Sequence, residues 1–275
     1  MSAPTQQATG TDEWDVVSVD VDAYLQRIGH PQEAPSADAL RSLHEAHVRA
    51  IPFENVDVVL GTHRGLKLEV ISDKLVRRRR GGYCYEHALL FAAVLERLGF
   101  AVQRRIARVQ PDRPGPRTHM MLVVHADGVD HLADVGFGAT MLYPMPLRNG
   151  VVVDQAGWEH RLTHDGALWT LWKRRDHSWE ALHASDDTPQ HLIDYEVAHH
   201  YTATHPRSPF TGQLVVMRLD HGISRRLIGD ELTVEYADGR FERISIPPDR
   251  LDTTLRELDV VLDTHEIDAL HARRT

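Results

Sequence analysis

The chain holds a single cysteine, Cys84, inside the run RRRRGGYCYEHALLF. Gly81-Gly82 reads as a turn, and a helical apolar pattern starts directly after it. Leu90, Phe91, Val94, Leu95 and Leu98 fall on one face before Gly99 ends the pattern. The thiol is therefore expected in the first turn of a helix, where unpaired N–H groups and the positive end of the dipole favour a thiolate. Those N–H groups can also receive an oxyanion formed beside the sulfur. A lone cysteine is equally often a buried structural residue, so position alone leaves both readings open.

A partner for the thiol is found in THMMLVVHADGVDHLADVGFG. Asp127-Gly128 between two apolar runs is a strong hairpin signal, and a two-residue loop pairs Ala126 with Val129. Continued outward, this register sets His119 opposite Gly136 and Asp134 opposite Met121. His119 and Asp134 then share a face as diagonal neighbours, about 7–8 Å apart along the backbone and within side-chain reach. A carboxylate there can fix the tautomer of the imidazole and stabilise its protonated form. The register turns His131 to the other face. His125 and Asp130 pair directly at the hairpin tip, where a solvated pair is expected. A nucleophile, a base and an orienting acid make the arrangement for covalent acyl chemistry, with hydrolysis and transfer both open.

The elements that must position these residues change character along the 275-residue chain. Residues 1–100 read as helices. Val21, Tyr24, Leu25 and Ile28 mark a helix stopping at Gly29, and Leu40, Leu43 and Ile51 mark one beginning near Ser36. Ser72 is expected to cap a third, with Ile71 and Val76 as a hydrophobic staple. Residues 101–194 read as strands (HMMLVVHA, VDHLADV, ALWTLWKR and SWEALHA) whose close spacing suggests a barrel or curled sheet. Residues 195–275 are mixed: strands at 214–219 and 231–246, bent at Asp238-Gly239, then a closing helix through Leu251, Leu255 and Leu258.

Composition narrows the function classes. Hydrophobic residues make up 42% and charged residues 26%, which excludes disordered and fibrous chains. Forty acidic residues against 31 Lys and Arg give a net charge of −9, which disfavours nucleic-acid binding. No apolar run approaches the roughly 20 residues of a membrane span, and the first residues show no signal peptide, so a cytoplasmic protein is expected. Histidine is abundant at 19 copies. His160 and His164, and the group His199, His200 and His205, lack carboxylates at ligand spacing, so no metal is expected and most histidines should be solvated. Arg77 to Arg80 point in different directions on a helix and cannot form one phosphate cradle; solvated positions with one or two structural ion pairs are expected.

At the reactive residues the sequence resembles the arylamine N-acetyltransferase family. The family's RGGxCxE motif stands as Arg80-Gly81-Gly82-Tyr83-Cys84-Tyr85-Glu86, its Thr-His strand start as Thr118-His119, and its DVGFG loop as Asp134 to Gly138. IPFEN at Ile51 to Asn55 and THPRSPF at Thr204 to Phe210 are similar to further family segments, and the likeness runs from about residue 20 to the C-terminus. It implies an α+β fold of helical bundle, β-barrel and α/β lid, with a papain-like or transglutaminase-like cysteine core. It also implies a ping-pong acetyl transfer: acetyl-CoA acylates the cysteine, and the thioester passes to an arylamine, arylhydroxylamine or hydrazine. Cys84, His119 and Asp134 match the family's catalytic triad. Phe53, Val109, Thr118, Phe137 and Phe210 fall where the family lines its acceptor and acyl pocket, and Gly136, Phe137, Gly138 and Ala139 where it meets the coenzyme.

Two positions depart from the pattern: Ala88 stands where the family usually has Asn, and Ala139 where it often has a second glycine. Neither touches the triad; both bear on donor identity. An amide synthase of ansamycin type, closing a macrolactam from a carrier-bound polyketide, is the alternative within the fold. A cysteine hydrolase is a more distant one. A binding module has no use for the triad.

Overall fold

A computed structural model describes residues 13–176 and 178–273. Its first part carries α1 (Val21–Ile28), α2 (Ala37–Ala50), β1 (Phe53–Glu54), α3 (Val56–Leu60), α4 (Leu68–Ser72) and α5 (Cys84–Arg97). The helix ends follow local chemistry. Asp20 and Ser36 accept N–H bonds from Ala23 and Ala39, and Gly29 closes α1 at φ 68°. Ser72 does not cap a helix. It lies in helical backbone at the end of α4, which began at Leu68 and runs on into a π-type turn over Asp73–Arg77. The helix begins four residues before the expected start, so the staple of Ile71 and Val76 falls with the cap: a serine inside a continuing helix has no free first-turn N–H to bind.

The second part forms a sheet from β2 (Ala101–Val109), β3 (His119–Ala126), β4 (Val129–Ala133), β5 (Met145–Pro146), β6 (Val152–Asp154), β7 (Glu159–His164), β8 (Trp169–Arg175) and β9 (Ser178–Ser185). These eight strands order as β5-β4-β3-β2-β9-β8-β7-β6. The hairpin register is as expected, with Ala126 opposite Val129 and Leu122 opposite Ala133. One face packs Met121, Val123, Leu132, Met145, Leu162 and Leu171 into a single apolar cluster. Because that cluster joins strands from both ends of the order, the sheet curls on itself like a barrel. The other face of β3, through Met120, Leu122 and Val124, packs into the helical core with α5. Burial on both faces explains why HMMLVVHA lacks polar alternation.

The third part comprises α6 (Leu192–Thr204), β10 (Val215–Asp220), β11 (Ile223–Ile228), β12 (Glu231–Tyr236), β13 (Phe241–Ser245), α7 (Leu251–Glu257) and α8 (Thr264–Arg273). Its sheet runs β1-β10-β11-β12-β13, so its first strand comes from the helical part. Val56 and Val59 of α3 join Leu227, Leu255 and Leu270 in its core.

The expectation of mostly solvated histidines is corrected. Seven are buried (His44, His47, His87, His119, His131, His160 and His183), and of the described ones His125, His191, His200, His221 and His265 are exposed. They serve as internal hydrogen-bonding residues, which pattern reading cannot separate from surface ones.

Candidate active site

Cys84 is the first residue of α5 and 5% exposed. The turn before it is fixed from several sides. Glu86 accepts the Tyr83 N–H at 3.1 Å, one half of a capping box. The Gly82 carbonyl accepts from Glu54 N–H at 2.7 Å. A side chain at Gly81 would lie 2.1 Å from the Pro52 carbonyl, so only glycine lets the two segments meet. His87 Nε2 donates to the carbonyls of Pro52 (3.2 Å) and Gly82 (3.0 Å). Its Nδ1 must then accept from His47 Nε2–H at 2.8 Å, and His47 Nδ1 accepts from the Tyr24 hydroxyl at 2.7 Å. Burial holds His87 near pKa 4 despite the nearby Glu86 charge and these carbonyls, so the chain is neutral at pH 7.

Beneath the nucleophile's helix lies a buried charge network. Lys74 Nζ reaches Glu86 at 2.9 Å and Asp57 at 3.0 Å, and Arg80 reaches Glu54 at 3.0 Å and Glu266 at 2.7 Å. Burial alone would raise the Glu86 carboxyl, but Lys74 and His63 hold it down to about 2. Arg77 is exposed and pairs with Asp73, while Arg80 is the buried structural partner. The run divides into solvated and ion-paired positions, but it leaves helical backbone at Arg79 (φ 54°), and one residue, Arg80, pairs with Glu54, Asp57 and Glu266.

The base pair forms, but not by the ladder continuing to it: pairing stops at Leu122 and Ala133, Asp134 lies just past β4, and Gly136 meets Cys84 rather than pairing with His119. His119 Nε2 donates to Asp134 Oδ2 at 2.7 Å, with both side chains almost wholly buried. Burial opposes charge on the imidazole, yet the Asp134 charge and hydrogen bond, with a hydrogen bond to Cys84, raise it to about 10. Asp134 is held well below the ordinary carboxylate range: burial pushes up, and His119 and His183 outweigh it. With Nε2 committed to the carboxylate, Nδ1 is the nitrogen left for the thiol. Asp134 is itself fixed through its backbone, whose N–H donates to His44 Nε2 at 3.1 Å while His44 Nδ1 donates to the Leu142 carbonyl at 3.0 Å. Gly136 abuts the nucleophile: a Cβ there would lie 2.8 Å from the Cys84 carbonyl oxygen. His131 bonds the Val129 carbonyl, and His125 pairs with Asp130 at 2.8 Å, both side chains more than half exposed.

The expected pocket residues fall into two groups. Phe53 and Phe210 face each other at 6.0 Å, Phe53 stacks on His87 and Phe210 meets Tyr83 edge-on. Phe137 packs on His119 at 4.7 Å and on His183 at 4.9 Å. The Thr118 carbonyl accepts from Tyr85 Oη and lies 4.0 Å from Cys84 Sγ. Val109 ends β2, 41% exposed, opposite His183 in the ladder. In the loop of Gly136 to Ala139, expected to meet the coenzyme, Gly138 takes the positive φ of 61° and Ala139 does not, so the extra methyl of Ala139 carries no backbone strain. Sequence reasoning missed His183, His44 and Tyr85. His44 and His183 reach Asp134 only through distant pairings; Tyr85 lay inside the motif, but its acceptor could not be read from spacing.

Among the described residues, one histidine–carboxylate group, His119, Asp134 and His183, has its ligand atoms within 4.8 Å of one another. A cation there would displace the proton shared by His119 and Asp134. His160 instead bonds the Trp158 carbonyl, and His199 packs against His63.

Fold and site define a class first. A thiol at a helix start, facing an imidazole–carboxylate pair on an adjoining curled sheet, is the layout of a cysteine enzyme with a papain-like or transglutaminase-like core. The N-acetyltransferase family profile matches residues 36–267. The chain is 38% identical to the arylamine N-acetyltransferase of Mycolicibacterium smegmatis over 92% of its own length and 93% of that protein's. It superposes on the enzyme from Mycobacterium abscessus with a TM-score of 0.92 at 34% identity, covering 98% and 99% of the two chains. Against the Mycobacterium marinum enzyme in complex with CoA the TM-score is 0.85 at 34% identity, covering 93% and 98%. The chain belongs to the arylamine N-acetyltransferase family. No helix among the described residues is long and apolar enough to cross a membrane.

Proposed function

We propose that this protein transfers an acetyl group from acetyl-CoA to an aromatic amine, arylhydroxylamine or hydrazine, through a thioester on Cys84. The observation that carries the reading is Cys84 at the start of α5 with the His119–Asp134 pair beside it, 2.7 Å apart. The Cys84 thiolate attacks the thioester carbonyl. First-turn N–H groups of α5 receive the oxyanion, and CoA leaves as its thiol with the proton from His119. The acceptor amine then attacks acetyl-Cys84, His119 takes the amine proton, and the amide departs as the thiolate reforms. Asp134 keeps the ring oriented and its charge compensated in both halves.

Phe53 and Phe210 suit the planar acceptor, with Thr118 and Val109 at the pocket edge. Gly136, Phe137, Gly138 and Ala139 suit the coenzyme, since Gly136 brings that loop onto the nucleophile's backbone. Water excluded by Phe210 and this loop leaves the thioester to the amine. We also take the divisions at 100 and 194 as functional ones, nucleophile and base pair coming from different parts.

Intact mass spectrometry tests the reading. Mixing with acetyl-CoA should add one acetyl group to wild type and none to Cys84→Ala, and an aromatic amine should remove it with formation of the amide. Initial rates should give parallel double-reciprocal lines. No acylation by acetyl-CoA, with charging by a carrier-bound acyl chain instead, would move the assignment to an amide synthase. Hydrolysis as fast as transfer to the best arylamine would move it to a hydrolase.

A further inference from the structure

We propose that His183 is a fourth member of the site, a positioning residue that keeps Asp134 ionised and aimed at His119. This rests on the reading of Cys84, His119 and Asp134 given above. His183 stands on β9, opposite Val109 of β2 and Leu171 of β8, and is 2% exposed. Its Nε2 lies 3.2 Å from Asp134 Oδ2, the oxygen that already accepts from His119. The ring packs 5.2 Å from that of His119 and edge-on to Phe137 at 4.9 Å.

Neither His183 nitrogen has an aligned hydrogen bond, and neither has Asp134 Oδ1. A residue present only to fill space would be apolar here, because burying an unsatisfied imidazole costs free energy that leucine or phenylalanine does not. The charged group within reach of its ring is Asp134, whose Oδ2 lies 3.2 Å from Nε2. A neutral imidazole with its proton on Nε2 needs only a small ring rotation to donate to the carboxylate. It would add a second donor to a buried charge that otherwise leans on His119 alone. The titratable groups around it are Asp134 and His119, with His160 further off; His44 holds the Asp134 backbone, and Cys84 acts through His119.

A hydrogen bond to a charged group contributes about 1.5–3 kcal/mol, so its loss should reduce kcat/KM by about 10–150-fold. His183→Leu should show that loss, mostly in kcat. The acid limb of its Cys84 alkylation–pH profile should move to higher pH, because Asp134 then accepts a proton more readily. His183→Gln, which places an amide N–H where Nε2–H stood, should restore most of both. In Asp134→Asn the further change His183→Leu should cost little, since the residue acts through the carboxylate. Imidazole NMR of the unaltered protein should find His183 neutral with its proton on Nε2, a readout that needs no variant to fold. A wild-type rate and profile in His183→Leu, equal losses in the Leu and Gln variants, multiplied losses in the double variant, or an Nδ1–H tautomer would each overturn the proposal. If acetyl-CoA does not charge Cys84 but the alkylation profiles behave as stated, the acyl-donor reading fails and the positioning role stands.

Discussion

Two buried ionic groups flank Cys84, and they are built differently. Under α5, both carboxylate oxygens of Glu54 and of Glu86 have partners: Arg80 and the Val56 N–H for one, Lys74 and the Tyr83 N–H for the other. On the curled sheet, Asp134 leaves Oδ1 without a partner, while Oδ2 accepts from His119 and has His183 Nε2 at 3.2 Å. Carboxylates with both oxygens paired gain nothing by taking a proton and hold their elements in place. Asp134 instead stays ionised while His119 takes and returns the proton, which is what acyl chemistry needs. Cys84 sits between a rigid support and a responsive partner.

That contrast is broken most severely at Asp134. Asp134→Asn keeps shape but presents a donor where an acceptor is needed, and turnover should fall by about 10⁴-fold, with the alkylation profile of Cys84 moved to higher pH. A variant with unshifted alkylation would show that the carboxylate does not govern the thiol. Lys74→Met attacks the other group. Stranding Glu86 and Asp57 should cost about 3–5 kcal/mol in urea unfolding, with the alkylation profile of the folded fraction left in place. A profile that moved with stability would erase the distinction.

Acid should reach the support gradually. Glu86 is held at about 2 against an ordinary 4.5, so its contribution is complete above about 4.5 and is lost as pH falls toward 2. Unfolding free energy should decline across that window, and Glu86→Gln should flatten the decline. The smallest effect is expected at the hairpin tip. Asp130→Asn removes an exposed pair with His125 and should change stability by less than about 0.5 kcal/mol and turnover not at all. A loss there equal to that in Asp134→Asn would mean the strand register had been misassigned.

Local signals carried much of this site. Gly81-Gly82 before an apolar helix located Cys84, and Asp127-Gly128 set the register that brings His119 to Asp134. Those features depend on neighbours in sequence, and so does the RGGxCxE motif. His183 and His44 were not legible because each reaches Asp134 through pairings of distant segments: β2 with β9, and α2 against the loop at Leu142. Glu54 and Lys74 resemble surface residues in any pattern count. Their burial follows from the turn at Gly82 meeting Pro52 and from the 160-residue return of the chain to Asn55, whose side chain accepts from Val215 N–H.

That return has a consequence for biosynthesis. Phe53 and Glu54 pair with Met217 and Val216, while Phe53 also bridges to Gly82, the residue two before the thiol. The turn that aims Cys84 is thus clamped by residues translated long after it. Contacts so far apart in sequence form late, after the loop between them has been closed. A nascent chain released only through β9 has its cysteine, histidine and aspartate in hand but lacks the strand that clamps the turn. Its thiol should react with acyl donors no faster than a free cysteine until β10 docks. Assembly order itself then keeps an unfinished chain from consuming thioesters.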